Sequence, residues 1–536
     1  MRFPRTLVLV GTLTCSTLLP AQIIITDDDG PRRPREAREA TPETPESKKA
    51  KAERDAMAES LLNRAYSLTK QTSDTETAFI LARLAQASSR NHPQRAKEWA
   101  EEVFNLTANL PNNMQRSQYE TMALTAMSEV DPEKAIEMLP RLETPNNRDG
   151  QPQPEVRLSV TAMLFNRYWQ RKGMDGVETL RAAARQMGES GAYPYMAINL
   201  LIRQVKSKDA EKSKEILNEA LAFFNRRPTA GNGNEQFAMF LRSNREEIPT
   251  PLLKDMLEKL VSQAVNLKND TSTSMVLATE SGTAAKLDNA ASIFLFQLMP
   301  MIRSLDADWA KRLENQYQEL RAAADFARSG EQRMMVTRSV GGGPGGEPPR
   351  AMMEEMRAME IDELSARDPQ RALKMNAELT DPSVRAASGA RLAATISKSD
   401  PEQAAELLKK AKEAIAEAKE PMDKLRILVG LAQAQASLND KAAFEATLQT
   451  SYTLGEELFR KGIDKNPTAP VFTQPGFDAM QRLTMSAVRM DYQATMQRLD
   501  AVRSPLLQAL LLISAAEGLD PDARPRGQGM RIRIES

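Results

Sequence analysis

In 536 residues the chain carries one histidine and one cysteine, which leaves no residues for a multi-histidine or thiolate zinc site and no disulfide framework. Its 72 lysines and arginines balance 72 aspartates and glutamates, so the net basic charge of a non-specific nucleic-acid binder is missing. Aromatic residues make up 5%, too few for a base-stacking or sugar-binding platform.

Residues 1–21 read as a secretory signal peptide. Arg2 and Arg5 precede the apolar stretch Thr6–Leu19, and Leu19-Pro20-Ala21 ahead of Gln22 offers a cleavage site. The stretch is too short to cross a bilayer. Cys15 lies inside this leader, and Thr12 and Thr14 before it fit a lipoprotein cleavage pattern poorly, so the mature chain is expected to carry neither lipid nor thiol. Residues 22–54 follow as Asp27-Asp28-Asp29-Gly30 and then a Pro-, Arg- and Glu-rich stretch with Thr-Pro repeats. Such a segment buries no core and is expected to be a disordered tether.

From residue 55 a short phrase recurs: a capping residue, Pro, two polar residues, Ala. It stands as His92-Pro93-Gln94-Arg95-Ala96, Asp131-Pro132-Glu133-Lys134-Ala135, Asp368-Pro369-Gln370-Arg371-Ala372 and Asp400-Pro401-Glu402-Gln403-Ala404. Looser copies begin at Asp209, Asp306 and Asn439, and a broken one, stopped by Pro525, begins at Asp520. This is helix-start chemistry: the Asp side chain accepts from the first unpaired N–H groups, and Pro occupies the first helical position, where its missing N–H costs nothing. The intervals 92 to 131 and 400 to 439 are both 39 residues, 131 to 209 is 78, and 368 to 400 is 32. Periods in this range belong to two-helix units that bury their apolar faces only by stacking on neighbours.

Helices are expected at about 55–70, 74–90, 93–109, 114–129, 132–143, 155–172, 174–188, 193–207 and 209–226, and then at 234–246, 250–268, 283–304 and 307–328. These make an N-terminal lobe, 55–329. A linker at 330–350 contains Ser339 to Arg350, whose Gly and Pro density supports neither helix nor strand. A C-terminal lobe spans 351–518, with a loop from Gly462 to Gly476 and a last helix from Pro505 to Leu519. The tail, 519–536, ends in the alternating Met530 to Glu535, read as a fraying terminus.

The alternation of Ala-rich helices such as Leu428 to Ala434 with helices begun by Asp-Pro resembles the tetratricopeptide and HEAT-like superfamily of α-solenoids over most of residues 55–518. It is similar to many bacterial envelope proteins built this way. The full tetratricopeptide pattern of Trp, Leu-Gly, Tyr and Phe is absent. The resemblance implies an all-α solenoid of stacked helix pairs with a period of about 39 residues, split into two lobes by the Gly/Pro linker.

Few residues invite a chemical reading. His92 fills the slot taken elsewhere by Asp and is read as a helix cap, which removes Ser–His–Asp and Cys–His catalysis. Met352, Met353, Met356 and Met359 share one helix face and are read as core packing, although a thioether stripe also suits soft metals or peptides. The apolar run Ile293 to Met299 is read as a buried helix. Lys409-Lys410-Ala411-Lys412-Glu413 is read as a solvated face.

One enzyme alternative has residues attached to it. Glu280-Ser281 and Gln297-Leu298-Met299-Pro300 resemble elements of lytic transglycosylases, which cleave peptidoglycan with one buried Glu as acid and then base; this would make Glu280 catalytic. Phe294 stands where that family needs glycine, and its downstream Tyr-Asn-Ala-Gly segment is missing. The expectation is therefore an exported, periplasmic or extracellular non-catalytic scaffold for a protein or peptide partner. It has no catalytic, cofactor-binding or metal residues, no nucleic-acid partner and no membrane span in the mature chain; a purely structural envelope component is the further alternative.

Overall fold

The computed structural model describes residues 45–111, 113–142, 155–189, 191–226, 232–269, 284–328, 350–466 and 471–520, together with the strand segments 6–11, 24–26, 273–278 and 335–340. The expected tether before residue 45 and the tail after 520 lie almost entirely outside the described residues.

The architecture is an all-α solenoid of helix pairs. In chain order the helices are α1 Pro45–Leu68, α2 Asp74–Ser88, α3 Pro93–Thr107, α4 Met114–Val130, α5 Pro132–Met138, α6 Glu155–Lys172, α7 Val177–Glu189 and α8 Tyr195–Lys206. They continue as α9 Ala210–Arg226, α10 Asn232–Asn244, α11 Thr250–Asn266, α12 Ala290–Leu305, α13 Ala307–Gln316 and α14 Gln318–Arg328. Beyond residue 349 come α15 Arg350–Ser365, α16 Pro369–Glu378, α17 Pro382–Ile396, α18 Pro401–Glu417, α19 Pro421–Ser437, α20 Lys441–Lys465, α21 Phe477–Met490, α22 Tyr492–Asp500 and α23 Pro505–Leu519. Short strands, β1 Thr6–Gly11, β2 Ile24–Thr26, β3 Thr273–Ala278, β4 Ala284–Leu287 and β5 Met335–Val340, pair in the order β2-β1-β5-β3-β4, with only β1 and β5 parallel.

The recurring phrase makes a short junction, of one to four residues, between the helices of a pair. At Asp131, Asp306, Asp368, Asp400 and Asp491 the backbone N–H closes the helix before it by donating to the carbonyl four residues back, as in Asp131 to Met127 at 2.7 Å and Asp400 to Ile396 at 2.7 Å. The carboxylate then accepts from the N–H three residues on, at Lys134 (3.0 Å), Trp309 (2.9 Å), Arg371 (3.1 Å), Gln403 (3.0 Å) and Ala494 (2.9 Å). One aspartate thus satisfies orphan groups of two helices at once. The fifth residue of the phrase faces inward, where only a small side chain fits: Ala96, Ala135, Ser213, Ala310, Ala372, Ala404 and Thr495 are all buried.

Two copies depart from the sequence expectation. His92 keeps the backbone half of the junction, donating to Ser88 at 2.8 Å and accepting from Ala96 at 3.0 Å, but its side chain makes no capping bond. Its imidazole has no counterpart to the carboxylate oxygen that reaches the third N–H. The copy assigned to Asn439 starts one residue later. Asn439 adopts the left-handed conformation (φ 58°) that ends α19, and Asp440 caps α20 by accepting from the Ala443 N–H at 3.2 Å.

Packing divides the helices into two compact units. A mid-chain unit holds α4–α14 and the strands; a two-segment unit holds α1–α3 with α15–α23. One boundary, at Pro348–Pro349, falls in the expected linker, but α1–α3 group with the C-terminal helices and not with the rest of the expected 55–329 lobe. In the mid-chain unit the first helices of successive pairs stack as α4, α6, α8, α10, α12. In the two-segment unit they stack as α15, α17, α19, α21, α23 and then α2. Close approach needs missing side chains: a Cβ on Gly430 of α19 would lie 2.6 Å from the Ala387 carbonyl oxygen of α17, and one on Gly518 of α23 2.7 Å from that of Met485 in α21.

Other boundaries move for local reasons. α1 begins at Pro45, ten residues inside the expected tether, because Pro suits the first turn and Ser47 to Arg54 is rich in helix formers. The helix expected from 283 begins only at Ala290, where Asn289 accepts from the Ser292 N–H at 2.8 Å; β4 precedes it. The helix expected over 307–328 breaks at Tyr317, whose extended backbone (φ −125°, ψ 100°) separates α13 from α14.

Candidate interaction surface

The repeat period reappears as polar rungs between equivalent positions of neighbouring pairs. Arg167 on α6 donates to Ser128 (2.5 Å) and Glu129 (3.1 Å) on α4, and Gln204 on α8 donates to Asn166 on α6 (2.9 Å). Lys206 pairs with Glu247 at 2.6 Å, and Ser383 on α17 donates to Asp423 on α19 at 3.1 Å. These partners lie 38 to 41 residues apart in sequence. A stack in which residue i meets residue i plus one period is what a solenoid requires.

On the second helices of the mid-chain unit the rungs merge into a ladder. Arg181 and Arg185 of α7 both bond the Glu219 carboxylate of α9 at 2.5 Å, while Lys212 of α9 returns to Glu178 of α7 at 2.7 Å. Burial works to raise the Glu219 pKa, but the hydrogen bonds from Arg185 and Arg181 bring it below the usual carboxylate value. One pair back, the hydrogen bond from Lys172 holds Glu133 low in the same way. These charges are committed to one another.

The second helix α18 differs. Ala404, Leu407, Leu408 and Ala411 form its packed stripe, and Lys409, Lys410, Lys412 and Glu413 are exposed. Lys410 approaches Glu406 one turn away at 3.5 Å, whereas Lys409 and Lys412 make no ion pair among the described residues. Exposed large apolar side chains are scattered: Met57, Tyr66, Val265, Met359 and Met422. The surface α18 offers is therefore polar and carries both signs of charge, with Glu402, Glu406, Glu413 and Glu417 exposed beside the three lysines.

The sequence-singled residues fall in different places. Glu280 and Ser281 lie outside the described residues. Phe294, Leu298 and Met299 are buried in α12, which carries Pro300 inside it, so the Ile293 to Met299 run is core. On α15 Glu354, Ala358, Ile361 and Ser365 are buried and Met359 is 59% exposed, so Met359 is not core; the side chains of Met352, Met353 and Met356 lie outside the described set. Among the described residues no helix is long and apolar enough to cross a membrane, and no group of three or more His, Cys, Asp or Glu is placed to hold a metal ion.

A buried carboxylate, Glu354, and a partly buried one, Glu517, escaped sequence reading. Glu354 on α15 accepts from the Thr380 N–H (2.9 Å) and hydroxyl (2.7 Å), fixing the turn before α17. Glu517 on α23 takes both contacts of the Arg83 guanidinium of α2, at 2.9 and 3.2 Å. Nothing local in the sequence marks either residue, since each partner is distant along the chain.

No protein-family pattern matches this chain, and no curated protein matches it. Among solved structures it is similar to a "circular tandem repeat protein with novel repeat topology and enhanced subunit contact surfaces", at 13% identity, covering 86% of this chain and 98% of that one with a TM-score of 0.20. A TM-score at that level carries no argument.

Proposed function

We infer that the chain is an exported, non-catalytic helical-repeat scaffold that binds a protein or peptide partner through the solvated faces of its second helices. The observation that carries this reading is the contrast between those faces. The α7–α9 charges are consumed in rungs that hold the stack together, whereas on α18 Lys409, Lys412, Glu402, Glu413 and Glu417 are exposed with no ion pair among the described residues, on a helix whose other side is packed. Fixed helices presenting unengaged charge of both signs suit a charged peptide or partner helix of complementary pattern.

The test is in-cell crosslinking with a photoreactive residue at position 409, followed by mass spectrometry of the adducts and of the mature N-terminus. The scaffold reading expects one reproducible adduct, lost in a Lys410→Glu, Lys412→Glu variant, and a mature chain beginning at Gln22. Adducts that survive the charge reversal, or none, count against it. A Glu280→Gln chain should behave as the parent; loss of peptidoglycan cleavage in that variant would install the enzyme reading instead.

A further inference from the structure

The phrase that elsewhere leads from a first helix into a second one fails at the end of α23. Asp520 has φ −76° and ψ 115°, unlike Asp131, Asp306, Asp368, Asp400 and Asp491, which have φ of −142° to −152° and ψ of 77° to 98°. The last carbonyls of α23 are instead taken by a side chain: Arg489 donates from Nε to the Gly518 oxygen at 2.5 Å and from Nη2 to the Asp520 oxygen at 3.0 Å. Arg489 thus closes the C-terminal end of α23. Yet α23 is the most completely covered helix of the two-segment unit, with Leu506, Leu507, Leu510, Leu511, Leu512 and Ile513 all buried.

The cover comes from the other end of the chain. α1 packs along α23, and its buried side chains are Leu61, Leu62 and Ala65. It lies between the second helices of the two neighbouring pairs. Arg64 pairs with Asp500 of α22 on one side, and Arg95 of α3 reaches Glu59 at 3.5 Å and Asn63 at 2.5 Å on the other. Tyr66 and Trp99 add a ring contact between α1 and α3 at 5.7 Å. This is the slot that a second helix following Asp520 would occupy.

We propose that α1 fills the second-helix place beside α23, so that this repeat is assembled from segments more than 430 residues apart and α1 acts as a strap that closes it. α1 packs chiefly along α23 and also touches α2, to which Thr69 to Ser73 connect it, while Arg64, Asn63, Glu59 and Tyr66 reach α22 and α3. Its detachment uncovers an apolar α23 between α22 and α3, a groove that fits an amphipathic helix such as α1 itself. Whatever pulls on or binds the chain ahead of Pro45 acts directly on this strap.

Hydrogen exchange on the full-length chain tests the strap. In a Leu61→Asp, Leu62→Asp variant, amides of α23 should exchange at least tenfold faster than in the parent while those of α17 and α19 keep their rates. Adding a synthetic peptide of residues 45–68 should restore α23 protection, and the same peptide with both aspartates should not. An Arg64→Asp chain should show a milder α23 effect that Asp500→Arg reverses. Unchanged α23 exchange, loss of protection spread equally over α17, α19 and α23, or failure of the parental peptide to restore it would each overturn the proposal.

Discussion

At the residue scale the junction aspartates carry a measurable share of stability. Asp400→Ala should cost about 1 kcal/mol, the usual loss for an N-cap, read as a lower urea midpoint with an unchanged slope. His92→Ala should change stability by less than roughly 0.5 kcal/mol, because that side chain makes no capping bond. The Arg83–Glu517 pair is partly buried, so Glu517→Ala should cost about 1 to 3 kcal/mol by leaving the guanidinium without this carboxylate, while replacing both residues with Met and Leu should come close to neutral. Acid sensitivity follows from the same caps. The N–H of Trp309 and then Lys254 hold Asp306 below the usual carboxylate value, and the N–H of Ala494 and then Lys441 do so for Asp491. A depressed folded pKa contributes stability that is complete above the unfolded value, about 3.9, and is lost as pH falls through the folded one. Stability should therefore fall below about pH 4, and an Asp306→Asn, Asp491→Asn chain, which retains capping oxygens, should show a shallower fall by circular dichroism.

At the scale of elements, close helix approach is the feature most exposed to substitution. A methyl group on Gly430 meets backbone, the Ala387 carbonyl oxygen at 2.6 Å, and no rotamer change relieves that contact. Gly430→Ala should destabilise by roughly 1 to 3 kcal/mol and lower the thermal midpoint, despite alanine's higher helix propensity. Sequence reading was strongest here. Asp-Pro at 131, 368 and 400 marked helix starts correctly because the cap and the proline act within four residues, and the small fifth residue marked the inward face. It was weakest where a signal needs a distant partner. Glu354 reads as one more surface acid until Thr380 is brought onto it, and Met359 sits in an apparently apolar stripe whose neighbours Glu354 and Ile361 turn out to define the buried side. Asn439 misled by one residue because Asn serves both left-handed helix ends and helix starts.

At the scale of the molecule, the all-α solenoid was legible from the 39-residue period, since every pair repeats the same local chemistry. The grouping of the pairs was not. One division between the units falls at Pro348–Pro349, within the Gly/Pro stretch, but nothing before residue 110 announces that α1–α3 group with helices more than 240 residues away. The strongest hint was negative: the helix-start phrase at Asp520 fails, and Pro505 to Leu519 has no polar face, so some other helix has to cover it. No local rule says which helix that is. The interaction surface was legible only as the Lys409 to Glu413 run; its unpaired state emerged from comparison with the ladder on α7 and α9.

The most direct test of this account is to cut the full-length chain once. A protease site placed between Gly341 and Gly346 separates α1–α14 from α15–α23 covalently, and the products are followed by size-exclusion chromatography in native buffer. A two-segment unit built from α1–α3 and α15–α23 predicts that both fragments elute together at the position of the uncut 59.5 kDa chain and part only in denaturant. Two folded fragments eluting separately in native buffer would contradict it and restore two lobes divided at the linker.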